Sequence, residues 1–170
     1  MKKLNILVGD DVFDFPPGNG QVYVFQFMRG IADAYGLTSP ERVRDEGFVF
    51  ERDSPIPEFD KIRWTLADTV QGMIEKSKQE PFDWLVSDMD YGPGYREGGL
   101  MVMRQIPKEA GMRAIYTSND NVRELQNLKE RAEVDFFISP LLEPNTKFDN
   151  KFEMLGYSIG KFYQDGFKKE

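Results

Sequence analysis

"FDWLVSDMDYGPG", residues 82–94, is an apolar run that stops in two aspartates one residue apart and then turns through glycine and proline. Trp84, Leu85 and Val86 have the aromatic and branched character of a buried strand, and the Gly-Pro-Gly that follows punctuates it. Such a strand delivers Asp88 and Asp90 to the carboxyl edge of a sheet, where carboxylates need solvent or a cation. Working outward, "LNILVG" (4–9), "RAIYTS" (113–118) and "VDFFIS" (134–139) are built the same way, and a weaker run, "GFVFE" (47–51), lies between the first two.

The intervening stretches have helical spacing: Leu66, Val70 and Met73 in one, Val122, Leu125 and Leu128 in another. Residues 20–36 mix strand-like content ("VYVFQFM") with a helical step through Val24, Met28, Ile31 and Tyr35, and read as a helix. The clearest helix is the last, with Phe148, Phe152, Leu155, Ile159 and Phe162 on one stripe. Strand and helix alternating five times predict an α/β fold. This is a doubly wound five-stranded parallel sheet, flavodoxin-like (βα)5, with strand order 2-1-3-4-5. At 170 residues, 40% hydrophobic and 14% aromatic, the chain fits a single domain over 1–170, with enlarged loops at 12–20, 52–60 and 91–99.

Composition narrows the chemistry. With 22 basic against 29 acidic residues the net charge is -7, which opposes a nucleic-acid backbone. The chain contains no cysteine and no histidine, so thiolate nucleophiles, disulfides, imidazole metal ligands, histidine triads and phosphohistidine are excluded. A site must be made of carboxylates, hydroxyls, amides, lysine and arginine. "GNG" at 18–20 lacks a third glycine at dinucleotide-binding spacing. The five-residue apolar run after the amino-terminal lysines is short for a signal peptide, and no segment reaches about 18 apolar residues, so a cytoplasmic location without a membrane is expected.

In a doubly wound sheet the ligand crevice lies where strand order reverses, between the first and third strands. Those strands end in Asp10-Asp11 and in Asp88. Carboxylates crowded there repel by about 4 kcal/mol per close pair at an effective dielectric near 20. The bland reading is solvated aspartates at strand ends. The sharper one is a hard divalent ion, Mg²⁺ above all, which takes an all-oxygen ligand set.

At these positions the sequence resembles the response-regulator receiver domains of two-component signalling, from about residue 4 to 165. "ILVGDD" is similar to the family's first strand and acidic pair, which implies Asp10 and Asp11 as metal ligands. "WLVSDMD" resembles its third strand, which implies Asp88 as phosphoacceptor and metal ligand, with the backbone carbonyl of Asp90 completing the site. "AIYTSND" resembles the fourth strand, placing the switch hydroxyl on Thr117 with Ser118 after it. "VDFFISPL" resembles the fifth, placing the aromatic switch position on Phe136 and the family's Lys-Pro pair on Ser139-Pro140.

The sequence departs from the family at Ser139, where an ammonium would contact the phosphoryl oxygens. A hydroxyl carries no charge, and Lys147 is a candidate to swing back. The loop around Pro93 and Gly99 is longer than the family's, and Pro16-Pro17-Gly18 lengthens the first. These loops read as a lid, a partner surface or tolerated growth.

Three functions follow. The resemblance implies a stand-alone receiver that accepts a phosphoryl group on Asp88 with Mg²⁺. Its partners would be a sensor histidine kinase or phosphotransfer protein and a downstream protein that reads the shifted surface. Ser139 and the loops favour instead a phosphorylation-independent interaction module of the same fold. "LVSDMD" followed by "AIYTS" also looks like the first two motifs of haloacid-dehalogenase-like phosphohydrolases, but some eighty residues precede the pair and no further acidic pair follows on a strand. A phosphoacceptor rather than a turnover enzyme is the expectation.

Overall fold

The computed structural model describes residues 1–14, 20–38, 40, 47–107, 110–117, 127, 134–138, 148 and 150–165. Its strands are β1 (Lys3–Gly9), β2 (Val49–Asp53), β3 (Lys61–Ala67), β4 (Trp84–Asp88), β5 (Met112–Tyr116) and β6 (Phe136–Ile138). Its described helices are α1 (Gly20–Ala34), α2 (Val70–Gln79), α3 (Gly98–Gln105) and α4 (Lys151–Asp165), with a 3₁₀ turn at Asp11–Asp14. The helical readings of 20–36 and of the last segment hold. The helix read through Val122, Leu125 and Leu128 lies outside the described residues, except for position 127.

The sheet has six strands in the order β2-β3-β1-β4-β5-β6, all parallel except β2. This corrects the five-stranded, all-parallel expectation. "KIRWTLA" at 61–67 is a strand, with Ile62, Trp64 and Leu66 turned inward at period two. Leu66 therefore belongs to β3, while Val70 and Met73 belong to α2. β2 and β3 are joined by the short stretch 54–60, too short for a crossover helix, so β2 must return antiparallel. Without β2 the parallel strands keep the 2-1-3-4-5 order, with β3 as the second.

β2 forms a protected edge. Its Phe50 is buried, whereas Glu51 and Asp53 pair with Lys3 and Lys61, charges that discourage further strand pairing. The hairpin also moves the enlarged segment 52–60 to the amino end of β3, away from the predicted crevice.

Side-chain alternation sorts the core into two layers. Leu4, Ile6 and Val8 of β1, Trp84 and Val86 of β4, and Ala114 and Tyr116 of β5 face α1 and α4. Leu7 and Leu85 face α2 and α3. α1 and α4 approach closely because a Cβ on Gly30 would collide with the Glu153 carbonyl oxygen, and one on Gly156 with that of Phe27. That contact fixes where α4 begins, directly above the carboxyl ends of β1 and β4.

Candidate active site

β1 and β4 are neighbours with Gly9 opposite Ser87, so the residues that follow, Asp10 and Asp88, emerge side by side. Both continue the even-numbered alternation of their strands and turn toward the face that α4 covers. One carboxylate oxygen each from Asp10, Asp11 and Asp88 lies within 4.8 Å of the others. Asp10 and Asp88 are buried, and Asp11 is exposed.

Asp10 is held by three donors. Its Oδ1 accepts the Val12 backbone N–H at 3.1 Å, and its Oδ2 accepts the Tyr116 hydroxyl at 2.5 Å and the Lys151 ammonium at 2.8 Å. The same ammonium reaches Asp88 Oδ2 at 3.2 Å. Lys151 is the first residue of α4, after Asn150, whose Oδ1 accepts the N–H groups of Phe152 and Glu153 as an N-cap. The positive end of a helix is unfavourable for a cation, and two carboxylates offset that placement.

The charges respond accordingly. Burial, reinforced by Asp10 and opposed by Lys151, pushes the Asp88 carboxyl up to about 7. Asp11 is also raised, by burial and then by its hydrogen bond with Asp10. Burial works against the Lys151 ammonium, but Asp10 and Asp88 outweigh it, so the lysine stays charged. Burial, then Asp10 and Asp88, drives the Tyr116 hydroxyl well up, which keeps it a donor. With Asp10, Asp11, Asp88 and Lys151 all ionised, three carboxylates against one ammonium leave two negative charges.

A divalent ion fits that excess. Oxygens bound to one Mg²⁺ at about 2.1 Å stand about 3–4 Å apart, so the three carboxylates need only a small inward movement. The donors are oxygen only, which favours Mg²⁺ over zinc.

The carboxylates open into a cavity of about 520 Å³ bordered by Asp11, Asp88, Met89, Asp90, Gly92, Arg96, Thr117 and Lys151. Thr117 is buried at the end of β5, its N–H donating to the Ile138 carbonyl. The Asp90 carboxylate accepts the Gly92 N–H and so turns back on its own loop. Phe136 does not border the cavity; it is half-buried, stacked on Trp84 and edge-on to Phe162. Ser118, Ser139, Pro140 and Lys147 lie outside the described residues.

Sequence reasoning missed Tyr116, Lys151 and Arg96. Tyr116 was findable, since period-two alternation puts it on the same face as Asp10 and Asp88. A basic residue opening a helix was the only local sign of Lys151.

Among solved structures, the chain is similar to the co-crystal structure of the Saccharomyces cerevisiae histidine phosphotransfer signaling protein Ypd1 and the receiver domain of its downstream response regulator Ssk1. The match has 10% sequence identity and a TM-score of 0.45 over 81% of this chain and 79% of that chain. At that level the likeness carries no argument about the site. No protein-family model and no curated protein matches the sequence. Among the described residues, no helix is long and apolar enough to cross a membrane.

Proposed function

We propose that this chain is a receiver-like phosphoacceptor domain in which Asp88 takes a phosphoryl group with Mg²⁺ and the modified domain signals by binding another protein. The observation that carries the reading is the Lys151 ammonium lodged between Asp10 and Asp88, within a three-carboxylate cluster of which Asp11 and Asp88 border the cavity. The cation that Ser139 cannot supply arrives from a helix instead.

In the proposed step an Asp88 carboxylate oxygen attacks phosphorus and forms an O–P bond as the bond from phosphorus to the donor breaks. The donor is a protein phosphohistidine or a small acyl phosphate. Its bonding electron pair leaves with the imidazole nitrogen, which takes a proton from solvent, or with the departing carboxylate. The chain has no histidine, so the phosphoryl group must come from outside. Asp10, Asp11, Asp88 and the Asp90 carbonyl would hold Mg²⁺, and the ion would supply charge neutralisation at the phosphoryl oxygens. Lys151 can pass from Asp88 to a phosphoryl oxygen while keeping Asp10. Thr117 borders the cavity, and its hydroxyl would donate to another phosphoryl oxygen.

One observation favours a second reading, the phosphorylation-independent interaction module. Asp10 already has both oxygens occupied by donors of this chain, which holds the site together without a ligand. The Asp90 carboxylate, which a phosphohydrolase would use as general acid, is engaged with Gly92.

The test is incubation with acetyl phosphate and Mg²⁺ followed by intact-mass measurement of the native protein and Asp88→Asn. A gain of one phosphoryl mass in the native protein alone is the expected result. No gain, with partner binding preserved in Asp88→Asn, would support the interaction module.

A further inference from the structure

The lengthened loop after β4 is a folded element. Tyr91 is buried, its hydroxyl 2.7 Å from Ser87 Oγ, and its N–H donates to the Tyr95 carbonyl at 2.9 Å. The Tyr95 N–H donates to the Gly92 carbonyl at 2.9 Å, and the Tyr95 carbonyl also accepts the Gly98 N–H at 2.9 Å. Both backbone groups of Tyr95 are therefore fixed, and the next residue, Arg96, is presented at the border of the acidic cavity.

Arg96 is exposed, and among the described residues it has no ion pair. Lys151, the other cation among the described residues at the cavity, is engaged by Asp10 and Asp88. A phosphoryl donor carries one to two negative charges, and it must approach Asp11, Asp88 and Asp90 on a protein of net charge -7. Without a cation at the mouth, that approach is electrostatically opposed. A guanidinium there offers a planar fork that matches two phosphoryl oxygens.

We propose that Arg96 captures the phosphoryl oxyanion of the donor at the cavity mouth and so sets which donors reach Asp88. The inference rests on the phosphoacceptor reading. It assigns the extra loop length a purpose, since the additional residues carry this side chain to the cavity border.

The experiment compares the native protein with Arg96→Ala and Arg96→Lys in two assays. The first follows phosphorylation by acetyl phosphate with Mg²⁺ over a range of donor concentrations. The second follows inorganic phosphate binding by phosphorus NMR. Losing a charge-assisted contact predicts a half-saturating donor concentration about 10-fold higher in Arg96→Ala, with the maximal rate changed far less. Arg96→Lys should recover part of that loss, and added salt should slow the native protein more than Arg96→Ala. Identical saturation curves for native protein and Arg96→Ala would overturn the proposal and leave the phosphoacceptor reading intact. Phosphate binding that depends on Arg96 without any phosphorylation would support capture and overturn transfer to Asp88. Neither binding nor phosphorylation would overturn both.

Discussion

Aspartates stand at both ends of this sheet, and they do opposite things. At the amino ends of the strands, Asp60, Asp83 and Asp135 each accept one backbone N–H from a neighbouring strand or the residue leading into it, those of Lys2 at 2.7 Å, Asn5 at 2.8 Å and Arg113 at 2.9 Å. Each closes a strand end separately. At the carboxyl ends, Asp10, Asp11 and Asp88 converge on one another and share a single lysine. The residue type and the position at a strand end are the same, so neither separates the two groups. Convergence does, because it concentrates charge that a cation or a bound proton must offset.

The contrast can be broken most forcefully at Lys151. Lys151→Met leaves Asp10 and Asp88 facing each other without an ammonium, and a loss of about 2–4 kcal/mol in urea unfolding is expected in chelator, discounted for the lysine's partial exposure. Millimolar Mg²⁺ should restore much of it. An equal loss with and without Mg²⁺ would mean the cluster is structural, like its counterparts at the other end.

Tyr116→Phe acts one layer deeper. It removes the hydroxyl donor from the Asp10 oxygen and should cost about 1–3 kcal/mol by the same measurement. A neutral result would show that Lys151 and Val12 alone satisfy Asp10.

The smallest effects carry the sharpest contrast, a gain against a near-neutral result from two chemically identical substitutions. Asp88→Asn removes a carboxylate whose ionised form is disfavoured by burial. In chelator at mildly alkaline pH it should raise Tm by a few degrees, about 1 kcal/mol for a domain of this size. Asp83→Asn keeps an oxygen for the Asn5 N–H and should shift stability by less than about 0.5 kcal/mol. A loss of stability in Asp88→Asn as large as that in Lys151→Met would contradict the charge argument.

The convergence itself was legible, because Asp10 and Asp88 end apolar runs whose parallel pairing follows from strand–helix alternation. The sheet edge was not. In "KIRWTLA" the charged residues alternate with large apolar ones, so β3 has no continuous apolar run, and Leu66 also kept step with Val70 and Met73 of the following helix. With β3 hidden, "GFVFE" reads as a parallel strand rather than one arm of a hairpin. Lys151 was illegible for a longer-range reason. Its position depends on α1 and α4 meeting at Gly30 and Gly156, a contact between segments more than a hundred residues apart in sequence. Arg96 depends likewise on the fold of its loop around buried Tyr91.

The most direct measurement is a Mg²⁺ titration by calorimetry of the native protein, Asp11→Asn, Asp88→Asn and Asp83→Asn. One ion per chain, with binding lost in the first two variants and unchanged in Asp83→Asn, is the predicted result. No binding to the native protein, or binding untouched by Asp11→Asn and Asp88→Asn, would contradict the claim that these carboxylates gather to hold a cation.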